Sequence, residues 1–176
     1  EKYLTKVKVC DLMMLEPYFS SKPWSLALEG KKVLVIHPFS SIIENQFNKK
    51  RNLIFKNNNV LPNFELKTLK APITYPESGL NSQNWFEILN NLTHNALEID
   101  FEIAIIGCGA YGMPLAARLK KAGKKSVHLG GAVQILFGIK GKRWDEIKNF
   151  KKMYNEHWIY PSNEKIYKNV EDGCYW

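Results

Sequence analysis

The chain has 176 residues, 45% of them apolar, with 25 Lys and Arg against 17 Asp and Glu for a formal net charge of +8. That is the size of one domain with a proper core; no apolar run nears the roughly 20 residues of a membrane helix, and none follows a basic start as in a secretory leader. A basic surface attracts phosphorylated ligands, acidic membranes or nucleic acid, but the lack of an RNP, zinc-finger or helix-turn-helix pattern argues against nucleic acid.

The first 30 residues read as an irregular arm. "VKVCDLMMLEPYF" predicts a short helix ended by Pro17, and "KPWSLALEG" predicts a lead-in that packs Trp24 and Leu26 on the body. Val33–Ile36 in "KKVLVIHPF" is a continuous run of β-branched residues and Leu, the composition of a strand buried on both faces. It ends at His37-Pro38. Ser41 followed by Glu44 predicts a capping box at the head of a helix carrying Ile42, Ile43 and Phe47. "FELKTLKAP" predicts a second strand. After the polar connection "ITYPESGLNSQ", "NWFEILNNLTHNALEI" predicts a helix with an apolar face through Trp85, Phe86, Ile88, Leu89, Leu92 and Leu97. "FEIAIIGCG" predicts a third strand and "MPLAARLKKAG" a helix ended by Gly123. "KSVHLGG" predicts a short fourth strand, followed by the apolar stretch "AVQILFGI". "RWDEIKNFKKMYNEHW" predicts one amphipathic helix through Trp144, Ile147, Phe150 and Tyr154. The tail 161–176 ends in "CYW", aromatics that predict docking on the body, since a free tail is more often polar.

Strands alternating with helices predict an α/β domain over 31–160: a Rossmann-like open, mostly parallel sheet of about four to five strands with helices on both faces. Ligands of such sheets bind beyond the carboxyl ends of the strands. His37, the turn Gly107–Gly112 and the stretch His128-Leu129-Gly130-Gly131 are therefore expected to share a crevice. Gly107-Cys108-Gly109-Ala110-Tyr111-Gly112 fits G-x-G-x-x-G between a strand and a helix, where glycines let the backbone come close to a ligand and helix-terminal amides attract a diphosphate. The amides around Tyr111 are expected to form that cradle. NAD is not expected, because its sites carry an acid about 20 residues on and this chain reads "SVHLGG" there.

His128 and His37 are the candidates for phosphate contact or acid–base work. His94 and His157 lie on helical stretches and read as structural. Gln134 is placed to hydrogen-bond a sugar or base. Lys140, Lys142 and Arg143, beside Gly138 and Gly141, predict a mobile basic phosphate clamp. Cys108 reads as a small buried residue rather than a nucleophile, since no acid in the turn orients a His base. Asp100-Phe101-Glu102 spells D-x-E, a metal-binding pattern of sugar transferases, but it precedes the third strand and so belongs at the opposite edge of the sheet. Cys10, Cys108 and Cys174 have no CxxC or Cys/His spacing for zinc. They predict reduced thiols and a cytoplasmic setting.

"GKKVLVIHPFSSIIENQF", "IAIIGCGAYGMPLAARLKKAGKKSVHLGGAVQILFGIKGKRW", "YNEHWIYPS" and "VEDGCYW" together resemble an uncharacterised family found with polysaccharide-assembly genes. The block Gly107–Trp144 also resembles the Rossmann-like domain of GT-D type glycosyltransferases. The resemblance covers residues 24–176 and implies a nucleotide-sugar donor, a glycan acceptor, and Mn²⁺ or Mg²⁺ held by an acidic motif. It implies that Gly107, Gly109, Ala110, Tyr111, Gly112, His128, Gly130 and Gly131 lie near the donor. Members of the family carry an N-terminal Gly- and acid-containing motif with no counterpart in residues 1–30. The chain opens on Glu1 rather than Met, so a piece of a longer protein is expected. If that motif supplies the metal ligands, this chain alone is expected to bind weakly or be inactive. The alternative is a noncatalytic nucleotide- or sugar-phosphate-binding module, which suits the few carboxylates expected in the crevice. A third reading is an interaction domain whose crevice is filled.

Overall fold

The computed structural model describes residues 10–74, 84–161 and 171–176. These form an open α/β sheet of four parallel strands with helices on both faces. The strands are β1 (Lys32–His37), β2 (Glu65–Lys70), β3 (Ile103–Ile106) and β4 (Lys125–His128), in the spatial order β2-β1-β3-β4. The α-helices are α1 (Ser40–Ile54), α2 (Trp85–Leu97), α3 (Gly112–Lys121), α4 (Ala132–Leu136), α5 (Lys142–Asp145) and α6 (Lys148–Lys151). His37 pairs with Lys70, Ile36 with Ile106, and Ile106 with His128. The strands therefore finish along one edge, and the winding reverses between β1 and β3, the switch point where such sheets bind ligands.

Period-two alternation divides the core. Val33, Val35 and Ile105 face a layer holding Ile43 and Phe47 of α1 with Val133, Ile135 and Leu136 of α4. Leu34, Ile36, Ala104 and Ile106 face the opposite layer, with Ile88, Leu89 and Leu92 of α2 and Leu115 and Leu119 of α3. A parallel sheet covered on both faces needs this unbroken apolar run in its central strands. No helix among the described residues is long and apolar enough to cross a membrane.

Several expectations need correction. The capping box at Ser41 and Glu44 does not form: α1 begins at Ser40, with Phe39 at the N-cap and no side-chain cap. Phe39 is fixed there because its N–H donates to His37 Nδ1 (3.0 Å) and its buried ring packs edge-on against Trp176. A capping box does form at α2, between Asn84 and Glu87. The buried face of α2 is narrower than expected, since Trp85, Phe86 and Leu97 are exposed. The single helix expected from residue 143 onward is broken at Ile147 (ψ 113°) into α5 and α6. On a continuous helix Trp144 and Phe150 would point about 120° apart; the break lets both be buried.

The arm is part of the body from Pro17 onward. Tyr18 and Leu28 join the core, whereas Leu26, expected to pack, is exposed. Ser25 Oγ donates to the Val60 carbonyl (2.7 Å) and Trp24 Nε1 to that of Leu15 (3.1 Å). The helix expected before Pro17 is a 3-10 turn, Leu12–Leu15.

Candidate functional site

A crevice of about 440 Å³ opens at the switch point, lined by His37, the turn Gly107–Tyr111, His128, Gly130 and Gly131 among others. The sequence places all of these at strand ends, and the parallel register brings them to one edge. Its floor is the strand ends. One wall comes from the α2/α3 layer: Tyr111, with Trp85 stacked on it (5.4 Å, 12° between planes) and Thr74 Oγ1 2.7 Å from the Tyr111 hydroxyl. The other comes from the opposite layer: Phe39, Tyr175 and Trp176. Trp85, Thr74 and the two C-terminal aromatics, with Phe39, Pro72 and Ile73, are lining residues that the sequence does not reveal.

The glycines of the turn have different reasons to be there. Gly109 (φ +55°) and Gly130 (φ +59°) take left-handed backbone angles, which side chains disfavour. Gly107 has no room for a methyl, since a Cβ would lie 2.5 Å from the Gly130 carbonyl oxygen and 2.8 Å from His37 Cδ2. At Gly112 a Cβ would lie 2.1 Å from His128 Cε1 and 2.3 Å from its Nδ1, overlapping the imidazole. The sequence motif therefore describes two histidines and two turns packed on one another.

The unpaired amides lie one step earlier than expected. A 3-10 turn, Gly109–Tyr111, runs directly into α3, so Tyr111 N–H donates to Cys108 O (3.2 Å) and Gly112 N–H to Gly109 O. The amides of Cys108, Gly109 and Ala110 have no acceptor among the described residues, and neither have those of Gly130 and Gly131. Successive free amides around a left-handed residue form an anion-binding concavity. Here two such turns, after β3 and after β4, line the same crevice.

The histidines are differentiated by their partners. His37 is buried, and its Nδ1 accepts the Phe39 N–H, so the proton of the neutral ring is on Nε2. Burial pushes its pKa down to about 3, which keeps the ring uncharged at neutral pH. Among the described residues the hydrogen bond of this ring is the one at Nδ1, and the residue lines the crevice. This geometry suits a hydrogen-bond donor and not the base role expected for it. His128 is only part-buried, and its Nδ1 lies 3.2 Å from the Ile106 carbonyl oxygen. A carbonyl accepts, so Nδ1 carries the proton and Nε2 keeps its lone pair. Cys108 is buried and its thiol is pushed up to about 12 by burial, the state of an inert thiol.

The basic clamp does not line the crevice. Lys140 Nζ sits over the rings of Tyr154 (5.1 Å) and Tyr160 (5.4 Å), where two electron-rich faces hold the cation. Lys142 is exposed, and its N–H donates to Trp176 O (3.3 Å). Arg143 Nη1 donates to the Tyr175 hydroxyl (2.7 Å). Gln134 lines the crevice, but its Nε2 is committed to the carbonyls of Lys140 (2.8 Å) and Tyr175 (2.6 Å). It ties the β4 turn to the C-terminal residues.

The described lining contains no Asp, Glu, Lys or Arg. No group of three or more His, Cys, Asp or Glu that could hold a metal ion occurs among the described residues. Mg²⁺ and Mn²⁺ take oxygen ligands, usually with carboxylates among them, so the described lining of the crevice does not fit the metal that the resemblance implies. Asp100 and Glu102 lie at the amino edge of the sheet, as expected. Asp100 is ion-paired with Lys32 and Glu102 with Lys31, and both carboxyls are held below the usual range by these partners and, for Glu102, first by the Lys32 N–H. The chain matches no family model, no curated protein and no solved structure.

Proposed function

We propose that the crevice binds a nucleotide-sugar through its diphosphate and serves glycosyl transfer, in the manner of a GT-D type donor-binding domain. The observation that carries this reading is the meeting of two glycine turns with unpaired amides and two oppositely polarised histidines in one open crevice at the switch point. The amides of Cys108–Ala110 and Gly130–Gly131 face the diphosphate oxygens. His128 Nε2 accepts the proton of an acceptor hydroxyl as its oxygen bonds to the anomeric carbon. The bond from that carbon to the diphosphate oxygen breaks with its electron pair, and the departing charge is met by the amides and by His37 Nε2–H.

The lining without carboxylates favours a second reading, a noncatalytic nucleotide- or sugar-phosphate-binding module. One series separates the two. Pyrophosphate, nucleoside diphosphates and nucleotide-sugars are tested for a rise in melting temperature, followed by nucleotide release from the nucleotide-sugars in the presence of glycan acceptors. A ligand at 100 times its Kd adds about 2.7 kcal/mol, or roughly 5–10 °C for a chain of this size. A shift with acceptor-dependent release is the expected result. A shift without release supports the binding module, and no shift with any phosphate overturns both readings.

A further inference from the structure

The two walls of the crevice are unequal. Trp85 and its neighbour Phe86 are 36% and 66% exposed and pack edge-to-face at 5.1 Å, so the α2/α3 wall continues out onto the surface. The opposite wall is tied down. Trp176 is buried against Phe39, and the backbone of the last residues is gripped at three points: Arg143 N–H to Cys174 O (2.9 Å), Gln134 Nε2 to Tyr175 O, and Lys142 N–H to Trp176 O. The Tyr175 ring comes within 2.8 Å of where a Cβ on Gly131 would be, with Trp144 at its side (5.9 Å between ring centres). Arg143 holds the phenol by its hydroxyl. The aromatic ring next to the second amide turn is thus fixed in place before any ligand arrives, which removes the entropy cost of ordering it on binding.

Transfer requires an acceptor to reach the anomeric carbon, so the sugar end of a donor must lie on the open side. That leaves the enclosed side for the other end of the diphosphate. From this asymmetry we propose that Tyr175 is the stacking platform for the nucleobase of the bound nucleotide, and that Arg143 is the positioning residue that sets its ring. The inference rests on the proposed diphosphate site and adds which wall reads which end of the ligand. It also gives the basic segment a role: Arg143 acts on the ligand through Tyr175.

The test uses the full chain and calorimetric affinities for pyrophosphate, UDP and ADP. Wild type is expected to bind both nucleotides more tightly than pyrophosphate by roughly tenfold or more, the range of a base stacked on an aromatic ring. Tyr175→Ala is expected to lose that margin, weakening UDP and ADP by a larger factor than pyrophosphate. Arg143→Met, which removes both the bond to the hydroxyl and the guanidinium over the ring (5.6 Å), is expected to lose an intermediate share, and Tyr175→Phe, which removes the bond alone, a smaller one. If Tyr175→Ala does not fold, the wild-type margin and a larger loss of it in Arg143→Met than in Tyr175→Phe still decide. Nucleotides binding no better than pyrophosphate, or Tyr175→Ala weakening pyrophosphate as much as UDP, would overturn this inference alone. Wild type that binds neither pyrophosphate nor nucleotide overturns the proposed diphosphate site with it.

Discussion

Gly107→Ala is expected to lower the melting temperature by roughly 6–12 °C, the equivalent of about 3 kcal/mol in a chain of this length. The new methyl meets three groups at once: the Gly130 carbonyl oxygen at 2.5 Å, His37 Cδ2 at 2.8 Å and Val133 Cγ2 at 2.8 Å. Two of the three are difficult to move. Gly130 O accepts the Val133 N–H (3.3 Å) at the head of α4, and His37 is fixed by the Phe39 N–H. Relief would have to come from separating the two glycine turns, at the upper end of what overpacking costs. Gly112→Ala is expected to behave differently, because the three atoms nearest its methyl all belong to the His128 side chain, which can swing away. That variant should fold with a smaller loss. It should bind pyrophosphate through the unchanged amides and fall in sugar transfer by about 100-fold, the lower range for loss of a general base. Thermal melts and turnover on the two variants check the contrast. Equal stability of Gly107→Ala and wild type would show that the turns are not packed as described.

Acid should destabilise the protein through His37. In the unfolded chain this residue titrates near 6.5, and in the fold burial holds it down to about 3. Above pH 6.5 both states are neutral and nothing is lost. Below it, the unfolded state takes up a proton that the folded state refuses, so stability falls by about 1.4 kcal/mol per pH unit until about pH 3. Between pH 7 and pH 4.5 the loss from this one residue is about 2.7 kcal/mol. His37→Asn keeps an oxygen that can accept the Phe39 N–H and removes the titration. Urea unfolding at the two pH values should show wild type losing that much more than the variant, whatever their difference at neutral pH. Equal losses would mean that the imidazole is protonated within the fold.

What could be read from the residues, and what could not, follows the range of the signal. The runs Val33–Ile36 and Ile103–Ile106 announce buried parallel strands, and with the order of elements they bring His37, Gly107 and His128 to one edge. Contacts decided by packing across the chain leave no local trace. Ser41 and Glu44 have capping-box spacing, but the helix start is set by Phe39, whose N–H is claimed by His37 and whose ring is claimed by Trp176. Lys140 reads as a free cation until the rings of Tyr154 and Tyr160 are found on it. Nothing in the spacing links Tyr175 to Gly131, although their contact fixes one wall of the crevice. Trp85 reads as part of a core-facing stripe, yet it stacks on Tyr111 at the crevice. The glycine motif puts the free amides around Tyr111, but a 3-10 turn takes up the Tyr111 and Gly112 amides and leaves those of Cys108, Gly109 and Ala110 without an acceptor among the described residues.

The central claim is that the free amides of two glycine turns hold phosphate oxygen. Backbone amide shifts of ¹⁵N-labelled protein titrated with pyrophosphate address it residue by residue. The account predicts the largest changes at Cys108, Gly109, Ala110, Gly130 and Gly131, with Tyr111 and Gly112 moving less. Shifts confined to the exposed lysines of α1 and α3, with both glycine turns silent, would contradict it.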